Sequence, residues 1–359
     1  MRVPFFSILI LLILFLGACQ KDEMDYKVAF PLPTGIYAVA DIDKAHDVDV
    51  LKNSDVNGVF IRVSWNSVEA TEDNYDWSFI DSEIDNAIAY GKKVSIAFVA
   101  GDYSPHWIKK GGFTFLHFKI IPHDGSGNNA HWVDIPVPWE TVFVNAYSDL
   151  ISDFKDHLKS NSSRYAAISL IKICGINQET AETRLPYEDS TYISGTDTAS
   201  NAAQIWLANG YTPTKVLSAW QTIANICYKK FKDKPLDIAI IPDPNGFPSI
   251  SDNGTIIPGL FNTTTADLVK TAASAYGSRM IVQYNAINDS TPNLPIIDYA
   301  KQLGTNVAFQ EQDYIDNKTD LSVAQTIQNA VDNGALFIEL FDETIEQHPA
   351  SVTWGAKLF

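Results

Sequence analysis

The stretch ISLIKICGINQET, residues 168–180, begins as a run of mostly aliphatic residues and ends in polar ones. A nearly continuous apolar run of this kind is typical of a strand in a parallel sheet that is covered on both faces. An amide and a carboxylate, Asn177 and Glu179, follow at its C-terminal end. The carboxyl ends of parallel strands are where such sheets bind ligands. The stretch therefore predicts a buried strand that delivers polar groups to one edge of a sheet.

The rest of the 359-residue chain repeats this unit. The eight candidate strands are residues 36–41, 58–65, 93–101, 166–175, 236–243, 279–285, 306–312 and 335–341. Amphipathic helical patterns lie between them, at residues 79–91, 212–231, 264–277, 294–304 and 322–334. Eight alternating units predict an α/β protein with a (β/α)8 TIM barrel, built as a single domain over residues 33–359.

Two connections in this pattern are much longer than the others. Residues 102–138 follow the third predicted strand, and residues 176–211 follow the fourth. Both belong to the C-terminal face of the barrel, where active sites of this fold lie, and loops of such length are usually functional. The first loop contains Trp107, Trp132, His106, His117, His123 and His131. We therefore expect the two loops to wall a cleft.

The first 18 residues contain one Arg followed by a long apolar run. This pattern predicts a secretory signal peptide over residues 1–18, since the run is too short and wrongly flanked for a spanning helix. The sequence LGAC at residues 16–19 resembles a bacterial lipobox, and the QKDE that follows resembles the surface-export signal of Bacteroidetes lipoproteins. The resemblance implies an acylated Cys19, a linker over residues 19–32, and a lipid-anchored protein at the outer membrane or cell surface.

The net charge of the chain limits the classes of partner that it is expected to bind. Its formal net charge is −17 and no run of Lys or Arg stands out, which argues against an extended nucleic-acid surface. We expect a partner that is neutral, or one that is bound through local side-chain contacts. The loop histidines lack the spacing of a zinc site. Cys174 and Cys227 are interpreted as small apolar fillers, and a disulfide between them stays open.

Two carboxylates occupy comparable places in the predicted barrel. Glu179 follows the fourth strand, and Glu311 ends the seventh, in NVAFQEQ. Strands four and seven lie roughly opposite one another, so the two acids could flank one cleft. Sugar hydrolysis needs such a pair, because one acid protonates the leaving oxygen while the other attacks or stabilises the anomeric carbon. A separation of about 5 to 5.5 Å would indicate retention of configuration, and a wider one inversion.

Residues 58–98, GVFIRVSWNSVEATEDNYDWSFIDSEIDNAIAYGKKVSIAF, resemble the second βα unit of clan A glycoside hydrolases, notably family 42 β-galactosidases and family 5 enzymes. Residues 101–108, GDYSPHWI, are similar to the segment after strand three in those families. The resemblance implies a retaining O-glycosyl hydrolase that acts on a neutral oligo- or polysaccharide and needs no cofactor. It implies that Glu179 is the general acid/base, that Glu311 is the nucleophile, and that Tyr284 hydrogen-bonds the nucleophile.

The sequence departs from the family pattern at two places. Gln178 separates Asn177 from Glu179, which are adjacent in the family. The eighth strand lacks the usual Trp and carries Glu339. Two alternatives therefore stay open: a glycan-binding lipoprotein that has lost catalysis, and an enzyme that uses Glu339 in place of one of the two acids.

Other side chains near the predicted mouth are candidates for binding substrate. Arg62 lies inside an apolar strand, where it either bonds backbone carbonyls or lowers the pKa of the nucleophile. Indole rings stack on the apolar faces of sugars. Trp65, Trp107 and Trp132 are therefore candidate stacking platforms. The candidate substrate-binding residues are Arg62, Trp65, His106, Trp107, Asn177, Tyr284 and Glu339. We expect Trp77, Trp206 and Trp220 to lie in the core or to pack against helices.

Overall fold

A computed structural model of the chain describes residues 31–120, 131–186, 192–194, 202–241, 246–248, 250–255, 263–291, 294–312 and 318–359. The predicted signal peptide, Cys19, nearly all of the predicted linker and His123 lie outside the described residues. Among the described residues, no helix is both long enough and apolar enough to cross a membrane.

The described residues form eleven strands, which we label in chain order. They are β1 (Gly35–Val39), β2 (Val56–Ser64), β3 (Lys93–Val99), β4 (Phe115–Ile120), β5 (His131–Pro136), β6 (Ile168–Lys172), β7 (Tyr192–Ser194), β8 (Leu236–Ile240), β9 (Met280–Ile287), β10 (Asn306–Glu311) and β11 (Ala335–Phe341).

Twelve α-helices accompany these strands within the described ranges. They are α1 (Val48–Lys52), α2 (Trp65–Val68), α3 (Ser78–Ala89), α4 (Thr141–Lys159), α5 (Ser162–Ala167), α6 (Ala202–Ala208), α7 (Pro213–Lys230), α8 (Thr263–Tyr276), α9 (Pro295–Gln302), α10 (Asp320–Asp332), α11 (Asp342–Gln347) and α12 (Pro349–Gly355). Short 3-10 turns cover Gly101–Tyr103, Ile108–Lys110, Gly277–Arg279 and Ala356–Leu358.

Eight of the strands close into a parallel barrel, in the order β1-β11-β10-β9-β8-β6-β3-β2. This confirms the predicted (β/α)8 barrel and all eight predicted strands. The fourth predicted strand, residues 166–175, is longer than β6, because Ala166 and Ala167 end α5. Beyond β6 the backbone turns at Gly175, whose φ is +103° and thus favours glycine.

The barrel interior is apolar at one level and polar at the next. Leu170, Ile281 and Phe337 pack together inside the sheet. Two residues further along the same three strands stand Lys172, Gln283 and Glu339, and Asp237 of β8 joins them. Barrels of this fold usually fill their interior with branched apolar side chains. This barrel instead carries a charged layer between apolar ones.

The predicted core residues lie between the barrel and its helices. Trp206 and Trp220 are 0% and 1% exposed, and Trp77 packs on Phe98 and Phe154, as expected. The thiols Cys174 and Cys227 are buried and free, which confirms them as apolar fillers. The core of the barrel wall is therefore as the sequence predicts.

The two long loops join in a small antiparallel sheet of order β5-β4-β7. Strands β4 and β5 come from the loop after β3, and β7 comes from the loop after β6. Phe118 of β4 pairs with Val133 of β5 on one side and with Ser194 of β7 on the other. The two loops thus form one sheet at the C-terminal face of the barrel, and each stabilises the other.

Candidate functional site

Residues 177–186, which we call the mouth segment, lie across the C-terminal mouth of the barrel. The Thr183 N–H donates to the Ala239 carbonyl at 2.7 Å, which ties the segment to the end of β8. Ala181 packs inside the barrel with residues such as Val39 and Phe341. This part of the second long loop, which the sequence predicts to help wall a cleft, therefore lies over the barrel interior.

Glu179 lies in the mouth segment with its side chain 23% exposed. Its Oε2 is 2.9 Å from Nε2 of His131, the first residue of β5. Its Oε1 accepts a hydrogen bond from Nε2 of Gln178 at 3.3 Å. As predicted, the carboxylate stands at the C-terminal face, and it is accessible to a ligand on the side of the loop after β3.

Glu311 is in a different environment, with 3% of the residue exposed. Its Oε1 accepts a hydrogen bond from the Phe341 N–H at 2.6 Å, and its Oε2 accepts one from Nζ of Lys318 at 3.0 Å. Burial raises the pKa of this carboxyl, while Lys318 acts in the opposite direction. Glu311 thus fastens the end of β10 to the end of β11.

Lys318, rather than Arg62, is the cation beside Glu311 in the described part of the chain. Nε of Arg62 donates to the Ala40 carbonyl at 2.7 Å, and its guanidinium lies 5.7 Å from the centre of the Phe341 ring. The structural alternative for Arg62, bonding to a backbone carbonyl, is confirmed. Its predicted effect on the pKa of the nucleophile stays a prediction. Lys318 was missed because it stands in a loop, where no periodicity marks its position.

Tyr284 and Asn177 are buried at 6% and 1% exposure. The Tyr284 ring packs on Phe309, with 6.5 Å between ring centres, and its hydrogen bond to a nucleophile stays a prediction. Oδ1 of Asn177 accepts from the N–H groups of Ala100 and Gly175, both at 3.2 Å. This oxygen therefore fixes the turn after β6. Nδ2 of Asn177 is buried without a hydrogen-bond partner in the protein, and the predicted contact of this residue with substrate stays a prediction.

The indole N–H groups of Trp65 and Trp107 donate hydrogen bonds within the protein. Trp65 is 0% exposed, and its Nε1 donates to Oε2 of Glu69 at 2.7 Å. Trp107 is half-buried, stands edge-on to Trp65, and donates from Nε1 to the Glu69 carbonyl at 2.9 Å. The predicted role of Trp65 as a stacking platform is wrong, because its ring is fully buried. That of Trp107 stays a prediction. Trp132 does remain open, at 39% exposure, with one face stacked on His117.

Glu339 lies inside the barrel and is 0% exposed. Its Oε1 is 2.8 Å from Nζ of Lys172, and its Oε2 accepts from Nε2 of Gln283 at 2.7 Å. A substrate does not reach a fully buried carboxylate that is paired in this way. The predictions that Glu339 binds substrate, or replaces one of the two acids, are therefore wrong.

His106 is exposed, and its backbone N–H donates to Oδ1 of Asn66 at 3.3 Å. Its ring is open to solvent at the C-terminal face, so its predicted contact with substrate stays a prediction. Within the described residues, no group of three or more His, Cys, Asp or Glu side chains is arranged to hold a metal ion.

Glu182 is a buried acid of the mouth segment that the sequence analysis did not single out. It is 7% exposed, and its Oε1 accepts from Nδ2 of Asn285 at 2.9 Å. Burial opposes its ionisation, but the nearby charge of Arg184 and the bond from Asn285 lower its pKa overall. Its Oε2 is buried without a protein partner. A loop acid has no periodicity to mark it, so only the structure shows that Glu182 faces the barrel interior.

Comparison with known proteins adds to this geometry. Two solved structures have the same fold: the catalytic domain of beta-amylase from Paenibacillus polymyxa and native xylanase 10B from Thermotoga maritima. The first matches with a TM-score of 0.59 and 12% identity, over 86% of this chain and 92% of the other. The second matches with a TM-score of 0.51 and 10% identity, over 86% and 83%. These likenesses show the fold.

No curated protein sequence matches this chain. The family model Glyco_hydro_42, described as beta-galactosidase, matches residues 40–233, which is more than half of the chain. The matched region runs from the end of β1 to the end of α7 and includes both long loops. The protein therefore belongs to family 42 of the glycoside hydrolases.

Proposed function

We propose that this chain hydrolyses a neutral glycan at the C-terminal face of its barrel, with Glu179 as a catalytic carboxylate. Family membership supports a glycoside hydrolase, and the family's description makes a β-galactoside the first substrate to test. The observation that carries the proposal is the environment of Glu179. This carboxylate follows the fourth barrel strand, is partly exposed, and lies 2.9 Å from a histidine ring nitrogen. A positioned carboxylate of this kind suits proton transfer.

The change Glu179→Gln is expected to lower kcat/KM by at least about 100-fold, because it removes a proton-transferring group while keeping the size of the side chain. The measurement uses the full chain, purified in mild detergent, with aryl β-galactosides first, followed by other aryl glycosides and neutral oligosaccharides. Asp156→Asn is the matched control, since Asp156 is an exposed acid on α4 that pairs with Lys159. Equal activity of Glu179→Gln and the wild type would contradict the proposal.

Glu311 is the partner that the family resemblance implies for Glu179, and the variant Glu311→Gln tests it in the same assay. A nucleophile must reach the anomeric carbon, whereas both oxygens of Glu311 are engaged by Phe341 and Lys318. Loss of turnover with an unchanged unfolding midpoint would support a nucleophile. Loss of stability with turnover retained would assign Glu311 to the joint between β10 and β11.

Glycan binding without cleavage is the second candidate, and the engagement of Glu311 is the observation that favours it. In that case a neutral polysaccharide would bind to the purified chain, no reducing ends would appear, and Glu179→Gln and Glu311→Gln would leave the affinity unchanged. Isothermal titration and reducing-end assays on the same polysaccharide separate the two functions.

We also propose that the chain is exported and held at the outer membrane or cell surface by acyl chains on Cys19. The lipobox-like sequence LGAC supports this proposal. The change Cys19→Ala is expected to move the protein from the detergent phase to the aqueous phase in a phase-separation assay, because acyl chains supply the membrane affinity. Wild-type protein found in the aqueous phase would count against an anchor.

A further inference from the structure

We propose that Glu182 recognises the sugar, with its Oε2 accepting a hydrogen bond from one hydroxyl of a β-galactoside seated in the barrel mouth. This inference rests on the proposed function and deepens it, because it names a specificity-determining residue for the same site. Glu182 belongs to the mouth segment and is 7% exposed. Its Oε1 is held by Asn285, so the other oxygen is the one that the carboxylate offers to a ligand.

A chain of hydrogen bonds fixes the orientation of this carboxylate. Nδ2 of Asn285 donates to Oε1 of Glu182 at 2.9 Å and to Oε1 of Gln310 at 3.2 Å. Oδ1 of Asn285 accepts from Nε2 of Gln283 at 2.8 Å. The Oε1 of Gln283 in turn accepts from Nζ of Lys172 at 2.6 Å, inside the barrel. The acceptor is therefore positioned before any ligand arrives, which lowers the cost of binding.

The second oxygen of Glu182 lacks a donor. Its Oε2 is buried and has no hydrogen-bond partner in the protein. Burial opposes ionisation of the carboxyl, yet the charge of Arg184 and the bond from Asn285 lower its pKa overall, so the group is ionised at neutral pH. Buried polar atoms are nearly always paired, and an ionised one is especially costly to leave unpaired. The missing donor must therefore come from a molecule outside the chain.

The charges around Glu182 favour a neutral donor. Arg184 already supplies a positive charge, and a negatively charged ligand would be repelled by the carboxylate. Within the described residues, no group of three or more His, Cys, Asp or Glu side chains is arranged to hold a metal ion. A sugar hydroxyl is a neutral donor, and its bond to an ionised acceptor is about twice as strong as one between neutral groups.

Glu182 lies within reach of a substrate at Glu179. The two residues are three positions apart in the mouth segment, so their Cα atoms are separated by at most about 11 Å. The Glu179 carboxylate is accessible from the side of the loop after β3, whereas Glu182 faces the barrel interior beside the end of β10. A sugar that enters past Glu179 can present a hydroxyl to Glu182 while its glycosidic bond stays near Glu179.

The test measures kcat/KM of the full chain, purified in mild detergent, on 4-nitrophenyl β-galactoside and on its 2-, 3-, 4- and 6-deoxy analogues. Glu182→Gln keeps the size of the side chain and an oxygen for Asn285 but removes the charge. We expect the variant to lose at least about 10-fold on the parent compound, because a hydrogen bond to a charged group is lost. On the one analogue that lacks the recognised hydroxyl, the variant and the wild type are expected to agree within about 2-fold.

The pattern across the five substrates separates recognition from a structural role. A structural role would change the fraction of active protein, and so lower kcat/KM by the same factor on all five. An equal factor on all five, or no loss, would overturn the inference and leave ordered water as the partner of Oε2. Glu182→Asp keeps the charge but withdraws it by one methylene, and the same pattern is expected. Asp156→Asn, the exposed control on α4, should match the wild type on every compound.

The same variants show whether this inference or the proposed function has failed. If Glu179→Gln inactivates and Glu182→Gln acts equally on all five substrates, hydrolysis stands and the role of Glu182 fails. Cleavage of other aryl glycosides but of no galactoside has the same meaning. If the wild type cleaves no glycoside, hydrolysis fails, and isothermal titration with methyl β-galactoside and its deoxy analogues decides the inference. About 10-fold weaker binding in Glu182→Gln, abolished for one analogue, would support it; no binding, or equal binding, would overturn it.

Discussion

Replacing Lys172 with Met is expected to lower the free energy of unfolding by about 3 to 5 kcal/mol. Nζ of Lys172 lies 2.8 Å from Oε1 of Glu339 and 3.1 Å from Oδ2 of Asp237, and donates to Oε1 of Gln283 at 2.6 Å. Both carboxylates are 0% exposed. Removal of the cation leaves two buried carboxyl groups without an opposite charge. Denaturant unfolding of the full chain measures the loss.

The loss of stability in Lys172→Met should depend on pH, and the raised pKa of Asp237 determines the direction of that dependence. Burial raises its pKa from 3.8 to about 7, with Lys172 acting against the rise and Glu339 adding to it. Between these values the folded chain holds a proton that the unfolded chain releases, so the contribution of Asp237 to stability falls as the pH rises from 3.8 to about 7. The loss in Lys172→Met is therefore expected to be larger at pH 8 than at pH 5.

Lys232→Met is the matched control for this experiment, because Lys232 is exposed just before β8. Its effect is expected to stay within about 0.5 kcal/mol. A loss below about 1 kcal/mol in Lys172→Met, or a loss that is the same at both pH values, would show that the buried charges are compensated in another way.

The second large effect is expected for Gly101→Ala, which should lower the free energy of unfolding by about 2 to 5 kcal/mol. Gly101 has φ +59°, a conformation that costs a residue with a Cβ about 1 to 2 kcal/mol. The added methyl also meets the backbone oxygens of Gln178 and Asn177, which cannot rotate away. Turnover should fall as well, because the Asp102 N–H donates to the carbonyl of Gln178, the residue before Glu179, and this contact would open.

Gly112→Ala separates the two causes. Gly112 has φ +82°, and nothing lies within 4 Å of a Cβ placed there, so only the backbone conformation is penalised. About 1 to 2 kcal/mol is expected for this control. Equal losses in the two variants would show that the crossing of the two segments tolerates a methyl group. Thermal unfolding followed by circular dichroism suffices for the comparison.

The sequence predicted the barrel well because each barrel strand is buried on both faces. Largely apolar runs such as ISLIK and ALFIELF are typical of strands that are buried on both faces. The ends of elements were less certain, as the alanines that precede Ile168 show. Those residues have high helix propensity and close α5, although they continue an apolar run.

The site was harder to predict because the pattern of apolar and polar residues in a strand does not show which way a given side chain points. Gln310 and Glu311 are adjacent polar residues at the end of β10, and strand geometry sends neighbours to opposite faces. Gln310 bonds Asn285 within the barrel, whereas Glu311 bonds Phe341 and Lys318. The pairing between β9 and β10 also shifts at this point. A sequence shows where a strand ends but not which of two polar residues faces a ligand.

The charged layer inside the barrel did leave a signal in the sequence. Lys172, Asp237 and Glu339 each interrupt an apolar strand, in ISLIK, LDIAI and ALFIELF. Charged residues are seldom fully buried without partners, so three such interruptions predict a mutual pairing. Taken alone, Glu339 is predicted to lie at the barrel mouth. Taken together with Lys172 and Asp237, it is predicted to pair inside the barrel.

The small sheet that joins the loops after β3 and β6 also constrains how this protein can change. Strand β4 is its central strand, with β5 on one side and β7 on the other. A chimera that imports only one of the two loops from a relative would leave a backbone edge of β4 without its neighbour, open to pairing with another molecule. Grafting of new specificity onto this barrel must therefore exchange both loops as one cassette.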